Sequence, residues 1–218
     1  KREDEEKLIK NIESEVLPLN IQETLQFLLF KIKWAIIKSD FKKAESLFEK
    51  AENLATFHKE TEFLAEIYVN KAGGFYGPLG EFEKAKETLE KCLKLPESKG
   101  IAIFKVTAVF NIGLNYKYQG KTNDALSAFY NGFKRATKLK LLPQIAPIAA
   151  NISSIFYDNG DYKKSLKWVK KAKYFAKTIG QRNLILLVSQ LNAIVELALG
   201  EISKAKERLL RNVDNCKR

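Results

Sequence analysis

The sequence predicts an all-α fold made of about five repeated helix pairs. Glycine recurs at a constant interval, and a small residue stands five positions after it and seven positions before it. The segments on both sides of each glycine show the 3.6-residue apolar periodicity of helices. The glycines are Gly80, Gly120, Gly160 and Gly200, followed by Ala85, Ala125, Ser165 and Ala205 and preceded by Gly73, Gly113, Ser153 and Ala193.

The first and fifth copies depart from this pattern. In the first copy Ser39 takes the place of glycine, 41 positions before Gly80, and Ala44 follows it by five. Four positions before the glycine the middle copies have an aromatic residue, whereas the fifth copy has Glu196. We therefore expect the terminal copies to be the least regular.

Each copy is predicted to be two helices joined at the glycine, which ends the first helix because it adopts a positive φ without strain. The small residues let the two helices approach, and the aromatics fill the space between them. The predicted pairs are 20–38/40–56, 60–78/81–95, 100–119/121–140, 143–159/161–178 and 182–199/201–216. A helix at 3–16, within a capping segment 1–19, precedes repeats 20–59, 60–99, 100–140, 141–180 and 181–218, and we expect one domain spanning 1–218.

The stretch AGGFYGPLGEF (72–82) fits the second copy and needs no phosphate-binding role. In the repeat register Gly73 is the small contact between helices, Tyr76 the packing aromatic and Gly80 the turn. The remaining residues should kink or fray the end of the helix, because glycine is a poor helix former and proline lacks a backbone donor. The sequence thus predicts a ligand notch or hinge at Gly74, Gly77 and Pro78.

These copies resemble the tetratricopeptide repeat family over about residues 20–216. The best matches are FNIGLNYKYQGKTNDA (110–125), LGEFEKAKETLEKCLKL (79–95) and ANISSIFYDNGDYKKS (150–165). A period of about 40 residues exceeds the family's ~34 and is similar to the long repeats in sensor domains of bacterial regulators. The resemblance implies a right-handed α-solenoid whose first helices line a concave wall.

In the resembled family that wall binds peptides or segments of partner proteins. The wall here is nearly neutral, and its amide and aromatic groups suit an extended peptide. Asn111 and Asn151 match a family asparagine, for which hydrogen bonding between repeats and ligand contact stay open. Carried over by register, the binding residues are Lys33, Asn70, Gly74, Gly77, Thr107, Phe110, Lys117, Tyr118, Ser154, Tyr157, Asp158 and Gln190.

No motif for catalysis or metal binding accompanies these repeats. His58 is the only histidine, which excludes zinc clusters with two histidines, and we expect it to be solvated near a helix end. Cys92 and Cys216 are interpreted as apolar fillers on helices. The interpretation is a non-catalytic protein- or peptide-binding scaffold without cofactor or metal. The alternative is a ligand-sensing domain of a larger regulator, for which a chain starting at Lys is suitable.

The charge of +12 is concentrated in one half: residues 1–99 carry −2 and residues 100–218 carry +14. This asymmetry favours an acidic partner for the C-terminal half. In KKSLKWVKKAKYFAK the aromatics Trp168 and Phe175 fall on the packed arc and the lysines on the opposite arc, which disfavours nucleic-acid binding. No apolar run reaches the ~20 residues of a membrane span. We expect a cytoplasmic protein, with self-association through the last helix as a further expectation.

Overall fold

A computed structural model describes residues 20–217, with side chains to residue 213. These residues form ten α-helices and contain no strand, so the predicted all-α repeat fold is confirmed. The contacts divide the chain into two compact units, Lys1–Ile67 and Tyr68–Arg218. The helix predicted at 3–16 lies outside the described residues.

The helices follow the predicted pairs to within about two residues, except at the end of the third helix. There the α-helix stops at Asn70 and continues as a π-helical segment, Lys71–Tyr76. The helices are α1 (Ile21–Ile37), α2 (Phe41–Phe57), α3 (Thr61–Asn70), α4 (Phe82–Lys94), α5 (Lys99–Tyr118), α6 (Thr122–Lys138), α7 (Leu142–Asp158), α8 (Tyr162–Ile179), α9 (Arg182–Ala198) and α10 (Ile202–Lys217).

In the first unit α1 and α2 form one helix pair. Asn20 starts α1 with a capping box, in which its side chain accepts from the Glu23 amide at 3.0 Å and its own amide donates to the Glu23 carboxylate at 2.9 Å. Both helices bury one apolar face, because their apolar residues recur at helical spacing. The buried residues are Leu25, Leu28, Leu29, Ile32 and Ala35 on α1 and Ala44, Phe48, Ala51 and Ala55 on α2.

The repeat glycines are the turns between paired helices, as predicted. Gly80, Gly120, Gly160 and Gly200 have φ between 72° and 78°, and Ser39 takes the same left-handed conformation at φ 59°. The turns between successive pairs use the same conformation at Lys59, Lys140 and Gly180. Side chains with a Cβ are strained there, since left-handed backbone brings Cβ against the following carbonyl.

Lys140 offers a direct test of this strain. Lys140→Gly is expected to raise the free energy of unfolding by about 0.5–1 kcal/mol, because glycine adopts φ 55° without the Cβ clash. Chemical denaturation of the two chains measures the change. The control is Lys134→Gly inside α6, which should lower stability by about 1 kcal/mol. A loss of stability in both variants would contradict the strain argument.

The small residues on either side of the turn bring the paired helices together in the third and fourth copies. Ser153 of α7 and Ser165 of α8 are both fully buried. Each hydroxyl donates to the carbonyl oxygen of the other serine at 2.9 Å. At Gly113 of α5 an added Cβ would lie 2.5 Å from the Phe129 ring of α6, so only glycine fits. The predicted close approach is confirmed at these two places.

The second copy corrects one sequence prediction. Gly73 does not make the contact between paired helices: it is exposed, and a Cβ there would meet Asn111 of the next copy. Ala72, 1% exposed, is the buried small residue instead. The reason is the π-helical segment, because its wider turn holds one additional residue and shifts the preceding register by one position.

The described part of the second unit contains apolar clusters and a solvated lysine face. Trp168 and Phe175 of α8 pack against the cluster centred on Phe129 and Ile148, whereas Lys163 and Lys167 are exposed. The Trp168 ring contacts Phe133 at 5.0 Å between centroids, and the Lys171 ammonium lies 4.2 Å over its face. The predicted separation of packed and solvated arcs is confirmed, and Trp168 lies on the packed arc.

His58 and Cys92 have the predicted surroundings, whereas Cys216 lies beyond the described side chains. His58 is exposed at the end of α2, where its ring meets Phe57 edge-on with centroids 5.0 Å apart. Cys92 is fully buried in α4. Burial raises the pKa of its thiol to about 11, although the charge of Lys105 lowers it. The thiol is therefore protonated at neutral pH and acts as an apolar filler.

The fifth copy replaces the packing aromatic by an ion pair. Glu196 of α9 is 4% exposed. Both of its carboxylate oxygens accept from the Arg208 guanidinium of α10, with 2.9 Å between Glu196 Oε2 and Arg208 Nε. With its amide oxygen turned toward the guanidinium, Asn192 accepts from Arg208 Nη2 at 2.9 Å. A bidentate pair thus joins the helices where Tyr76, Tyr116 and Phe156 do so in other copies.

Candidate functional site

A groove of about 570 Å³ lies in the second unit, between the π-helical segment and α5. The predicted notch residues Gly77 and Pro78 line it, whereas Gly74 does not. One wall comes from the segment before α4 and the first residue of α4, and the other comes from α5. The lining is Gly73, Gly77, Pro78, Gly80, Phe82, Asn111, Leu114, Asn115 and Tyr118.

The irregular end of the third helix leaves room for this groove. The Gly77 amide donates to the Ala72 carbonyl oxygen at 2.9 Å, a π-type bond to the fifth preceding residue. Pro78 has no amide hydrogen and cannot continue the helix. Because Gly73 and Gly77 have no side chains, their backbone forms the floor of the groove, and the space above it stays open. A Cβ at Gly77 would lie 3.2 Å from the Ala72 carbonyl oxygen, so a larger residue is crowded there.

Two asparagines on α5 face this floor. Asn111 reaches over Gly73, with its Nδ2 atom 2.4 Å from where a Cβ would stand. Asn115 is 6% exposed, and its Nδ2 atom has no hydrogen-bond partner. A buried unpaired amide is costly, because it has lost water and gained nothing in exchange. Asn115 thus brings to the groove lining an amide that has no partner among the described residues.

Aromatic rings flank the mouth of the groove. Tyr118, at the end of α5, is 68% exposed. Its ring stacks on Phe82 of α4, with centroids 6.5 Å apart and an angle of 20° between the ring planes. An exposed tyrosine beside a concave, mostly apolar surface is suited to contact a ligand, because it offers a large rigid area and a polar tip.

A polar cluster joins α5 to α7 in the following copy. The Lys117 ammonium donates to the Ser154 hydroxyl at 2.9 Å and lies 3.5 Å from Asn151 Oδ1. Ser154 in turn lies 3.4 Å from the Asp158 carboxylate. Burial lowers the pKa of Lys117, and the charge of Asp158 opposes that change. Lys117, Ser154 and Asp158 of the predicted set are thus brought together.

The other predicted site residues lie apart from the groove lining. Lys33, in the first unit, and Gln190 are exposed, and Asn70 is half-buried with its Nδ2 atom unpartnered. Thr107 donates to the Ile103 carbonyl oxygen of its own helix at 2.9 Å. The rings of Phe110 and Tyr157 pack on Phe129 at 5.7 Å and on Tyr162 at 5.5 Å between centroids.

Sequence reasoning missed Asn115, although the repeat register contains its signal. Five positions before the turn glycine the other copies have Phe75, Ile155 and Val195, all buried apolar residues. A polar residue at a core position breaks the pattern of its own repeat. Since a buried amide needs partners, such a break points either to a network or to a ligand.

Within residues 20–217, no group of three or more histidine, cysteine, aspartate or glutamate side chains could hold a metal ion. None of the helices in the described part of the chain is both long and apolar enough to cross a membrane.

Comparison with known proteins identifies the repeat. Residues 65–99 match the tetratricopeptide repeat model. The chain has the tetratricopeptide-repeat fold. This match covers α3 from residue 65 onward, the π-helical segment, α4 and the turn before α5, so the floor of the groove lies within a tetratricopeptide repeat. The sequence resemblance is confirmed, and each of the regularly spaced turn glycines adopts a positive φ. No curated protein sequence matches the chain.

Solved structures share the tetratricopeptide-repeat fold at low sequence identity. BtubC from P. vanneervenii is 18% identical with a TM-score of 0.76, over 97% of this chain and 86% of that one. Aspartyl phosphate phosphatase F from Bacillus subtilis is 17% identical with a TM-score of 0.76, over 97% and 55%. The Rap conjugation gene regulator of plasmid pLS20, in complex with the Phr* peptide, is 17% identical with a TM-score of 0.67, over 93% and 57%. The chain thus spans little more than half of the latter two.

Proposed function

We propose that the chain is a non-catalytic peptide-binding module whose ligand lies in the groove between the π-helical segment and α5. The observation that carries this proposal is the Asn115 amide, buried and unpaired at a position that is apolar in the other copies. A ligand carbonyl oxygen accepting from Asn115 Nδ2 would remove the cost of leaving that donor unpaired.

The chemistry of the groove favours an extended peptide. A peptide backbone offers a carbonyl and an amide at every residue, and the asparagines can both donate and accept. Leu114, Phe82 and Tyr118 supply apolar surface for its side chains. Among the described residues no charged side chain lines the groove, so a neutral or weakly charged segment fits best. The cluster around Lys117, next to Tyr118 on α5, then receives an acidic side chain or a terminal carboxylate.

One structural neighbour supports this choice of ligand, because the Rap regulator of plasmid pLS20 was solved with the Phr* peptide. The low identity carries only the fold, so the argument for this chain depends on its own groove. A neighbour is named a phosphatase. The proposal for this chain remains non-catalytic, since the groove contains amides and aromatics instead of an acid–base pair.

A second function, the sensing part of a larger regulator, is favoured by the π-helical segment itself. A π-turn holds one residue more than an α-turn. If the segment changed to α-helical hydrogen bonding, Asn70 and the rest of α3 would rotate by about 100° around the helix axis. Ligand binding at Gly77 could therefore change the register of α3. Hydrogen exchange at the Gly77 amide, whose π-type bond to the Ala72 carbonyl oxygen is 2.9 Å long, would detect such a change on peptide addition.

The test of the groove uses two tyrosines of nearly equal exposure. A peptide selected from a random display library on the intact chain is titrated against Tyr118→Ala and Tyr174→Ala, whose wild-type side chains are 68% and 66% exposed. Tyr118→Ala is expected to weaken binding by about 2 kcal/mol, which is roughly 30-fold, because an aromatic anchor is lost. Tyr174→Ala on α8 should leave affinity unchanged.

Asn115→Leu supplies the second arm of this experiment. It should raise the free energy of unfolding by about 1 kcal/mol, since an unpaired amide is exchanged for an apolar side chain of similar size. The same change should weaken peptide binding. Equal affinity in wild type, Tyr118→Ala and Asn115→Leu would show that the peptide binds elsewhere, and the proposal would be wrong.

A further inference from the structure

A second pocket, of about 370 Å³, lies among α8, α9 and α10 at the C-terminal end of the second unit. Its walls come from the second helices of the fourth and fifth copies and from α9 between them. None of the residues that line the groove contributes to it. Its character is also different, because cationic side chains dominate the lining. They are Lys173 and Lys177 of α8 and Lys204, Arg208 and Arg211 of α10.

The cations of this pocket outnumber the nearby acids. Among the described residues Glu207 is the one acid of the lining, while Glu196 lies behind Arg208 and Glu201 pairs with Lys204. Counting those three acids against the five cations leaves a net charge of +2. Positive charges that converge in a concave site raise the local potential more than the same charges on a flat surface. The pocket should therefore attract an anion.

The existing ion pairs leave these cations able to bind another anion. Arg208 is held by the buried Glu196, so its charge is fixed in place. Lys204 pairs with Glu201 at 3.1 Å on its own helix, and its side chain is 66% exposed. Arg211 pairs with Glu207, and their side chains are 69% and 65% exposed. Exposed pairs within one helix are worth little and exchange readily for a stronger partner.

Lys173 experiences the unbalanced charge most directly. Burial lowers the pKa of its ammonium, and the charges of Arg208 and Lys177 lower it further, against an opposing effect of Glu196. A cation in this position is partly desolvated and repelled by its neighbours. A bound anion would relieve both effects.

Asn212 gives an independent indication of a ligand. Its side chain is 9% exposed and lines the pocket, and its Nδ2 atom has no hydrogen-bond partner. A neutral donor buried beside five cations favours a ligand rich in acceptor oxygens. Solvated lysines alone would need no such donor.

We propose that this pocket binds a phosphate-bearing polyanion of small-molecule size. Donors converge on it from α8 and α10, and a tetrahedral phosphate accepts from several directions, whereas a planar carboxylate accepts mainly in its own plane. A ligand with at least two negative charges is required to balance a charge of +2. The volume is at the lower end of small-molecule sites.

The experiment titrates inorganic pyrophosphate into the intact chain by calorimetry. Lys173→Ala with Arg211→Ala should weaken binding at least tenfold. The matched control is Lys163→Ala with Lys167→Ala, which removes the same charge from exposed positions of α8 outside the pocket and should change affinity less than threefold. Asn212→Leu should also weaken binding, although the net charge is unchanged. Citrate, as a tricarboxylate of similar charge, should bind more weakly than pyrophosphate.

Three results would overturn the proposal: no pyrophosphate binding, equal losses in the two double variants, or tighter binding of citrate. Equal losses would mean that diffuse positive charge attracts the anion. If Asn212→Leu fails to fold, the paired lysine and arginine variants still decide the question. Tyr118→Ala should leave pyrophosphate affinity unchanged, so this site and the peptide groove succeed or fail separately.

Discussion

Gly113→Ala is expected to lower the free energy of unfolding by about 2 kcal/mol, because the added methyl group overpacks a filled core. The new Cβ would lie 2.5, 2.6 and 3.1 Å from three carbons of the Phe129 ring. Phe129 is fully buried against Val106, Ile148 and Ile152, so its ring cannot move away cheaply. Urea denaturation measured by circular dichroism gives the change.

The matched control is Gly132→Ala on α6. This glycine is also buried inside a helix, but a Cβ there would lie 3.5 Å from Ile148 and from Val109, an ordinary contact. Alanine is favoured over glycine in a helix by about 1 kcal/mol, so Gly132→Ala should be neutral or stabilising. Both substitutions gain that preference, and the difference between them measures the clash alone.

A second substitution tests the cause of the expected loss. Phe129→Leu alone should destabilise the protein, since it leaves a cavity. In combination with Gly113→Ala the two effects should partly cancel, because the smaller side chain makes room for the new methyl group. Strictly additive losses would mean that Gly113 and Phe129 do not interact in the assumed way.

Arg208→Ala is expected to destabilise the chain by roughly 3 kcal/mol, because it leaves the buried Glu196 carboxylate without its partner. Glu196 is 4% exposed, and both of its oxygens accept from the guanidinium. The control Arg211→Ala removes an equal charge one turn later, where the ion pair with Glu207 is exposed. That variant should change stability by less than about 0.5 kcal/mol.

The effect of Arg208→Ala should depend on pH. The hydrogen bonds from Arg208 hold the pKa of Glu196 below its ordinary value, with the charges of Arg208, Lys173 and Lys204 acting in the same direction. A carboxylate with a lowered pKa stabilises the fold above its unfolded-state pKa and loses that contribution as pH falls through the folded-state value. The stability difference between wild type and Arg208→Ala should therefore be largest near neutral pH and shrink in acid.

Restoring the pattern of the other copies provides the rescue. The double variant Glu196→Phe with Arg208→Leu replaces the ion pair by apolar packing of the kind seen at Phe156. Buried pairs replaced in full by apolar residues are often tolerated or stabilised. The double variant should be more stable than Arg208→Ala at neutral pH. Its stability should also lack the pH dependence that Glu196 causes in the wild type. A double variant as unstable as Arg208→Ala would contradict this account.

Much of the fold could be predicted because the repeat presents the same signal several times. The turn glycines recur at a constant interval, and each of them adopts a positive φ. Helix ends follow within about two residues, since periodicity and turns report local structure. The groove could be predicted only in outline: the glycines and Pro78 marked an irregular helix end, but not its π-helical form.

The binding residues were harder to predict, because register assigns a face to each residue but does not give its contacts. Phe110 and Tyr157 were expected in the groove, and their rings pack against Phe129 and Tyr162. Gly74 was expected to line the notch, and the neighbouring Gly73 lines it instead. The additional residue in the π-turn causes this shift, and no periodicity in the sequence encodes it.

The sequence by itself determined the repeat, the helix pairs and the separation of lysines from the packed face. These depend on spacing along one chain, so they are local properties that the similar copies reinforce. The tertiary structure alone decided which polar groups are left without partners. Asn115 and Asn212 became candidate ligand donors, and Glu196 became the partner of Arg208. Burial and pairing depend on residues brought together from different helices, which spacing within one helix does not specify.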